Sequence, residues 1–332
     1  QQVSMNLKIL WLLPTCLSHQ MKALVMDPQS PTCPLCIEST FLKRFTKKHR
    51  DFYRCQSCEL ELIWPLPTLT ELEDYYDNSF VDGMYQDFAA ADEMKQMTAR
   101  QRLKEICKSV PVEGTWLDVG CANGVFVENA IEQGVDAEGV ELSQHAVNLG
   151  RDKGLPLYIG TVDDIPGDRK YDCITAFDVL EHVLDPNEFL EGIRGRLNEG
   201  GHVVLTVPNA GGIVRRLMGK RWYFYIPEEH LHYFNRKNLS ALLEKHGFSV
   251  DGVGATYKPM TYDYALTQFQ EFNPMIYRIL KTLSFVVPKK LRSMPVPLPI
   301  GELRIVGELA PGQERIGDSE PLEQVASRTT VG

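Results

Sequence analysis

The feature that most constrains the fold is a short apolar segment, residues 115–120, that runs straight into a turn of small residues and then a helix. Gly120, Ala122 and Gly124 allow the backbone to turn tightly and approach a ligand closely. The helix behind this turn offers free backbone amides. Glu141 closes the next apolar segment, and a carboxylate at such a strand end typically binds ribose hydroxyls. The segment predicts a strand–turn–helix unit that binds a nucleoside-containing cofactor.

Short apolar runs continue to alternate with helical segments along the chain. The predicted strands are 115–120, 137–142, 156–160, 172–177, 202–207, 248–256 and 303–309. The predicted helices are 88–110, 124–133, 144–153, 187–197 and 235–246. Strands that alternate with helices of about ten residues imply βαβ units and a parallel sheet with helices on both faces. The sequence therefore predicts an α/β, Rossmann-like, doubly wound fold.

Four of the eight cysteines form two C-x-x-C pairs, Cys33 with Cys36 and Cys55 with Cys58. Two intervening residues let both thiolates of a pair reach one ion, and residues 40–54 are long enough for a β-hairpin between the pairs. Four thiolates suit tetrahedral Zn²⁺, and a site closed by four cysteines is structural. This pattern predicts a zinc ribbon and a reducing, cytoplasmic compartment. Four free thiols or a redox pair are the alternative.

The composition limits the partners of the chain. Its net charge of −9 is unfavourable for a polyanion binder, so nucleic acid is not an expected partner. No apolar run approaches the length of a membrane-spanning helix. The predicted parts of the chain are a non-native or disordered extension (1–25), the zinc ribbon (26–67), a helical linker or lid (68–112), the α/β domain (113–310, with an insertion at 258–300) and a disordered tail (311–332).

Residues 118–124, Asp-Val-Gly-Cys-Ala-Asn-Gly, resemble motif I of the class I S-adenosylmethionine-dependent methyltransferases. Further segments resemble later motifs of that family in the same order: 139–143, 160–166, 171–183, 197–209 and 230–248. The last of these is similar to a block of the subgroup that includes ubiquinone-biosynthesis O-methyltransferases and zinc-ribbon sugar methyltransferases. The resemblance covers about residues 95–257. It implies seven strands, mostly parallel with an antiparallel last strand, and S-adenosyl-L-methionine as cofactor.

The resemblance also implies which residues bind the cofactor: Asp118, Gly120, Ala122, Gly124, Glu141, Val162, Asp163 and Asp178. Asp118 and the glycine-rich turn hold the methionine part, Glu141 the ribose, and Val162 with Asp163 the adenine. Thr161 departs from the pattern, because many relatives have an acid there. Adenine N6 is then held by Asp163 or by backbone groups.

Three histidines are candidates for the base that accepts a proton from the acceptor molecule: His182, His230 and His232. Histidine titrates near neutrality, which suits this task. A structural role at a helix start or loop is the alternative for each. Relatives in the ubiquinone subgroup have an acid-x-x-Glu-His cluster implicated in metal binding. A second divalent metal at Asp178, Glu181 and His182 is therefore a further hypothesis.

The resemblance implies methyl transfer to oxygen, nitrogen or carbon of a small molecule such as a sugar, a quinone precursor or a secondary metabolite.

The basic, aromatic segment 214–225 is interpreted as a lid, a loop over the core or a peripheral membrane contact. The protein is expected to be a monomer or a homodimer. The alternatives are an NAD-dependent oxidoreductase, a protein or RNA substrate recruited by the ribbon, and a non-catalytic scaffold. The turn's G-x-A-x-G spacing differs from the G-x-G-x-x-G of dinucleotide enzymes.

Overall fold

A computed structural model describes residues 31–68, 71, 88–263, 266, 270, 274–299 and 301–311. The extension predicted at 1–25, nearly all of the tail predicted at 311–332 and much of the linker predicted at 68–112 lie outside the described residues. No helix in the described part of the chain is long and apolar enough to cross a bilayer.

The described elements follow the alternation of strands and helices that the sequence predicts. The strands are β1 Phe41–Lys47, β2 Arg50–Cys55, β3 Glu61–Trp64, β4 Thr115–Val119, β5 Asp136–Glu141, β6 Leu157–Ile159, β7 Tyr171–Phe177, β8 Leu197–Pro208, β9 His232–Tyr233, β10 Phe248–Ala255, β11 Lys258–Met260, β12 Val296–Leu298 and β13 Glu302–Leu309. The α-helices are α1 Phe88–Ile106, α2 Val125–Glu132, α3 Gln144–Arg151, α4 Pro186–Arg196, α5 Ile213–Met218, α6 Arg236–Lys245, α7 Pro274–Leu283 and α8 Lys289–Arg292.

The main sheet has seven strands in the order β10-β13-β8-β7-β4-β5-β6. Five neighbouring strands, β8, β7, β4, β5 and β6, are parallel. Strand β13 is antiparallel to both of its neighbours, β10 and β8. This topology confirms the predicted Rossmann-like sheet with an antiparallel last strand. Two large apolar clusters include residues from the sheet and its helices, with Leu117 and Val119 in one cluster and Trp116 in the other. Because successive strand side chains point to opposite faces, both faces of the sheet are buried.

Helix boundaries follow capping residues. Asp185 caps α4 by accepting a hydrogen bond from the Asn187 amide at 2.8 Å, and Pro186 occupies the first turn. Asn235 and Asn238 form a reciprocal capping box at the start of α6. Proline at the first helical position loses no hydrogen bond, because that amide has no partner inside the helix. The helix therefore begins one residue before the predicted 187.

A second sheet joins the cysteine-rich region to the main fold. Its antiparallel order is β1-β2-β3-β9, in which β1 and β2 form the predicted hairpin and β9 belongs to the segment after α5. Leu62 pairs with His232, and the Ile63 amide donates to the Leu231 carbonyl at 3.1 Å. Aromatic residues fill the space behind this junction, including Phe52, Trp222, Tyr225 and Tyr233. Fully burying one such side chain is worth about 2 kcal/mol, so the two regions pack as one body.

Candidate cofactor and acceptor site

The turn after β4 requires glycine for reasons visible in its backbone. Gly120, Ala122 and Gly124 have φ of 72°, 48° and 78°, the left-handed region that side chains disfavour. The Gly120 amide donates to the Val140 carbonyl at 2.9 Å, which draws the turn over β5. A Cβ at Gly120 would lie 2.6 Å from Cγ2 of Val179. The turn is thus held close to the carboxyl edge of the sheet, where open α/β sheets bind ligands.

Glu141 ties the turn to the next strand end. Its Oε2 accepts a hydrogen bond from the Ala122 amide at 3.0 Å, and its Oε1 accepts one from the Ser143 amide at 2.9 Å. Its carbonyl accepts from the Gly160 amide at 3.0 Å, which brings in the loop after β6. Three segments that are separated in sequence therefore meet at one residue, two of them at its carboxylate and one at its backbone carbonyl.

The loop after β6 forms a single 3₁₀ turn, Val162–Asp164. Thr161 caps this turn: its hydroxyl donates to Asp164 Oδ2 at 2.8 Å and accepts from the Asp163 amide at 3.2 Å. Val162 is buried, while the Asp163 side chain is exposed. The residue that departs from the family pattern therefore has a capping role, and the neighbouring Asp163 carboxylate faces outward.

Asp118 is buried below the turn. Thr175 Oγ1 donates to its Oδ1 at 2.6 Å, and burial raises the pKa of Asp118 to about 7. A carboxyl with this pKa is poised between its neutral and charged forms at physiological pH. A cationic group placed against it would stabilise the charged form.

Asp178 lies just past the end of β7 with φ of 59°, a strained conformation for a residue other than glycine. Its Oδ2 contacts Arg102 Nη2 at 2.7 Å and Lys258 Nζ at 3.2 Å, and its Oδ1 accepts from Thr206 Oγ1 at 2.8 Å. Burial opposes ionisation of Asp178, but Lys258 and Arg102 outweigh it and hold the pKa below its usual range. Both carboxylate oxygens therefore have protein partners.

Three residues that the sequence analysis missed complete this charged cluster: Arg102, Lys258 and Glu302. Lys258 bonds Glu302 Oε1 at 2.5 Å, and Arg102 stacks over the Phe177 ring with 4.5 Å between Cζ and the ring centroid. The signal for Arg102 was present, because it lies between the buried positions of α1 and so interrupts an apolar stripe. The other two come from the insertion and the last strand, which no local pattern brings together.

His182, in the loop after β7, contacts His230 edge to face, with ring centroids 4.7 Å apart. His230 Nδ1 lies 2.8 Å from the Phe224 carbonyl oxygen. A carbonyl only accepts, so Nδ1 carries the hydrogen and Nε2 keeps a lone pair. Burial, with His182 as the next contribution, lowers the pKa of His230 to about 3. Burial also lowers the pKa of His182.

His232 lies in a different setting from the other two histidines. It is only 1% exposed, it sits in β9 against Leu62 of β3, and burial lowers its pKa to about 4. The structure thus places His182 and His230 together, with His232 in the junction with the cysteine-rich sheet.

Glu181 adds a carboxyl to the histidine pair. One ligand atom from each of Glu181, His182 and His230 lies within 4.8 Å of the others, a group to which Asp178 does not contribute. Glu181 is buried, its Oε2 has no hydrogen-bond partner, and burial raises its pKa well above the usual range. The trio therefore differs from the predicted set, because His230 takes the place of Asp178.

The four N-terminal cysteines converge as their spacing predicts. Sγ atoms of Cys33 and Cys58 are 3.4 Å apart, those of Cys36 and Cys55 are 3.5 Å apart, and all four lie within 4.8 Å of one another. Sulfur atoms around tetrahedral Zn²⁺ are roughly 3.8 Å apart, as follows from a Zn–S distance of about 2.3 Å. All four are free cysteines. The donor set thus fits the ion.

Comparison with known proteins shows what the main domain is similar to. Residues 91–253 match the model of a methyltransferase domain family. The ubiquinone biosynthesis O-methyltransferase of Bordetella avium is 25% identical over 166 residues, covering 46% of this chain and 69% of that protein. The enzyme of the same description from Shewanella pealeana is 25% identical over 175 residues, covering 48% and 74%. A solved 1,6-didemethyltoxoflavin-N1-methyltransferase from Burkholderia thailandensis aligns with a TM-score of 0.45 at 14% identity, covering 81% of this chain and 99% of that chain.

The fold and the glycine-rich turn with its facing carboxylate define the class as a Rossmann-like methyltransferase. With its methyltransferase domain over residues 91–253, the chain is an S-adenosylmethionine-dependent methyltransferase.

Proposed function

We propose that this enzyme transfers the methyl group of S-adenosylmethionine to a small molecule, with an oxygen of a quinone precursor as the favoured acceptor. The observation that carries the proposal is the placement of His182 and His230 beside the same sheet edge as Glu141 and the glycine-rich turn. The names of the relatives from Bordetella and Shewanella favour O-methylation. Nitrogen or carbon acceptors, sugars and other metabolites stay open.

The cofactor roles follow from the chemistry of the residues at this edge. The two oxygens of Glu141 suit the ribose hydroxyls, because a carboxylate accepts two hydrogen bonds at once. Asp118 suits the ammonium of the methionine part, and that ammonium would keep the Asp118 carboxylate charged. Asp163 and the backbone beside Val162 suit the adenine edge. Asp178 acts through Arg102 and Lys258, as an anchor for the charged cluster.

His230 is the favoured base, with His182 as its neighbour. The fixed tautomer leaves Nε2 free to accept the hydroxyl proton of the acceptor while its oxygen attacks the methyl carbon. The new O–C bond forms as the C–S bond of the sulfonium breaks, and S-adenosylhomocysteine leaves with the electron pair. The sulfonium is already activated, so alignment and proton removal suffice. His232 is better suited to holding the junction.

A divalent metal at Glu181, His182 and His230 is the second candidate for activating the acceptor. The unpartnered, buried Glu181 Oε2 favours it, since such an atom lacks a hydrogen-bond or metal partner. The ion would lower the pKa of a bound hydroxyl. Metal content and activity after chelation separate the two candidates, because the histidine base needs no ion.

We propose that the chain divides into a zinc ribbon over residues 26–67, a linker at 68–112 and the α/β domain at 113–310, which the convergence of the four cysteines and the hairpin of β1 and β2 support. Zinc at the four cysteines would be structural, since all four ligands come from protein. Metal analysis of the purified chain should return one zinc ion per molecule. An equimolar zinc content that survives Cys36→Ser/Cys58→Ser would contradict this assignment.

The test of the proposed function is a methyl-transfer assay with S-adenosylmethionine labelled in its methyl group. The acceptors would be catechols, sugar nucleotides, a protein extract and RNA. We expect label in a small phenolic product and release of S-adenosylhomocysteine. Label confined to protein or RNA would overturn the small-molecule assignment, and binding of NAD(H) with no binding of S-adenosylmethionine would favour an oxidoreductase.

A further inference from the structure

The segment between β11 and β13 has an unusual charge for this chain. Residues 274–299 contain five lysines and arginines and no aspartate or glutamate, although the whole protein carries a net charge of −9. Arg278, Lys289 and Lys290 are exposed, and within the described part of the chain they take part in no ion pair. Positive charge is thus concentrated on one short stretch.

The same segment exposes large apolar side chains. Ile279, Leu283 and Val286 follow one another at helical spacing along one side of α7 and the turn after it, and all three are exposed. Phe285 is 89% exposed, and Leu291 on α8 is more than half exposed. Apolar residues scattered singly on a surface need no explanation, but a run of them in one element does. We call residues 278–294 the cationic apolar surface.

The insertion that carries this surface starts and ends at the sheet edge of the proposed site. Glu302, where β13 begins, pairs with Pro208 at the carboxyl end of β8, so the insertion leaves and rejoins the sheet at that edge. Lys258 pairs with Leu298 and also reaches Asp178. Both ends of the insertion therefore lie beside the proposed acceptor site.

A second exposed stretch lies next to it. A Cβ at Gly301 would stand 3.5 Å from the Cβ of Val214, so the end of the insertion touches α5. In α5, Ile213 is 73% exposed and Leu217 is 82% exposed. Residues 211–227 again contain basic residues and no acidic one. Both stretches combine basic and exposed apolar residues and lack acidic ones, and Gly301, a few residues past the cationic apolar surface, contacts α5.

We propose that the cationic apolar surface, with α5 beside it, docks this enzyme on anionic phospholipid bilayers. A basic amphipathic element with a protruding aromatic residue inserts apolar side chains at the headgroup boundary while its cations bind anionic lipid. Self-association through this surface is disfavoured, because an isologous dimer would bring together two copies of one basic surface that has no acidic residue to offset the repulsion. Docking does not depend on the identity of the acceptor, so a test of docking is independent of a test of the proposed function.

The test is co-sedimentation of the full chain with two kinds of vesicle, phosphatidylcholine alone and phosphatidylcholine with about one-quarter phosphatidylglycerol. We expect binding to the anionic vesicles only, weakened by added salt. Lys289→Gln/Lys290→Gln should lower the partition coefficient about thirty-fold. Phe285→Ser should lower it about tenfold or more through lost apolar burial.

Matched controls lie elsewhere on the molecule. Arg236→Gln/Lys237→Gln removes two exposed cations from α6, and Leu149→Ser removes an exposed apolar side chain from α3. Both should bind vesicles as the unchanged protein does. Absence of binding to anionic vesicles, or equal loss in the control variants, would overturn the proposal. Sedimentation velocity would overturn it in favour of a dimer interface if Phe285→Ser dissociates a dimer and vesicles are not bound.

Discussion

At the scale of single residues, Glu141 is the sharpest test of cofactor binding. It joins the glycine-rich turn, the end of β5 and the loop after β6. Glu141→Ala should weaken S-adenosylhomocysteine binding about 10- to 100-fold, since hydrogen bonds to a charged group are worth about 1.5–3 kcal/mol. Titration calorimetry measures this. Glu132→Ala, on an exposed position of α2, is the control and should bind normally.

Substitutions of His230 and His232 should have different effects on kcat. His230→Gln should lower kcat about 10²- to 10⁴-fold, the usual effect of losing a general base, with S-adenosylhomocysteine affinity unchanged. Because its pKa is lowered to about 3, His230 is already neutral at pH 5 and should cause no loss of kcat/KM between pH 7 and pH 5. His232→Gln should mainly lower stability. Equal loss of kcat in both variants would contradict the assignment.

His246, at the end of α6, tests how the burial of a histidine changes the free energy of unfolding at acidic pH. Burial, with Lys245 and Arg194 adding to it, lowers the pKa of His246 to about 4. An ordinary histidine titrates near 6.5, so the unfolded chain binds this proton first and stability falls as pH drops from about 6.5 toward 4. Between pH 7 and pH 5 the native protein should lose about 1–2 kcal/mol more than His246→Gln. Urea unfolding measures this, and His145→Gln on exposed α3 should behave like the unchanged chain.

At the scale of elements, the cysteine-rich sheet positions the segment that carries His230. Glu61 in β3 is 3% exposed. Its Oε1 accepts a hydrogen bond from Arg215 of α5, and its Oε2 accepts one from the Tyr225 hydroxyl at 2.5 Å. Arg215 also bonds that hydroxyl at 2.9 Å. Lys47 reaches the Tyr225 carbonyl at 2.8 Å. The bonds made by Glu61 and Lys47 span more than 150 positions of sequence, so the cysteine-rich sheet holds the segment 215–225 in place.

Glu61→Gln should therefore weaken the contact between the cysteine-rich sheet and the segment after α5. It leaves the Arg215 charge without its partner, which should cost about 2–3 kcal/mol of unfolding free energy. We expect KM for the acceptor to rise while the affinity for S-adenosylhomocysteine stays unchanged. Glu59→Gln breaks only an exposed contact with Arg54 and should cost less than about 1 kcal/mol. A parallel loss of cofactor affinity in Glu61→Gln would contradict this separation.

Elements with a strong local pattern were predictable from the sequence. The apolar strands β4, β5 and β7, the capped helices and the convergence of the cysteines follow from periodicity, capping and spacing alone. The pairing of β3 with the two-residue strand β9 was not, because a strand that short carries no period and its partner is remote in sequence. The cluster of Arg102, Lys258 and Glu302 was missed for the same reason, since only the folded sheet brings α1, β11 and β13 together.

At the scale of the whole molecule, function divides between two regions. One edge of the sheet supplies the turn, Glu141 and the loop after β6, which follow the common pattern of the methyltransferase fold. Three parts lie outside that pattern: the cysteine-rich sheet, the segment after α5 and the insertion before β13. We propose that they set the acceptor specificity, because the segment after α5 carries His230 and Lys258 of the insertion contacts Asp178.

We expect S-adenosylmethionine to bind at the edge formed by the glycine-rich turn and Glu141. A crystal structure determined with S-adenosylhomocysteine tests it most directly. The ribose hydroxyls should lie on the Glu141 carboxylate, the amino acid end near Gly120 and Asp118, and the adenine beside Val162 and Asp163. An empty edge at saturating ligand, or the ligand bound elsewhere on the chain, would contradict it.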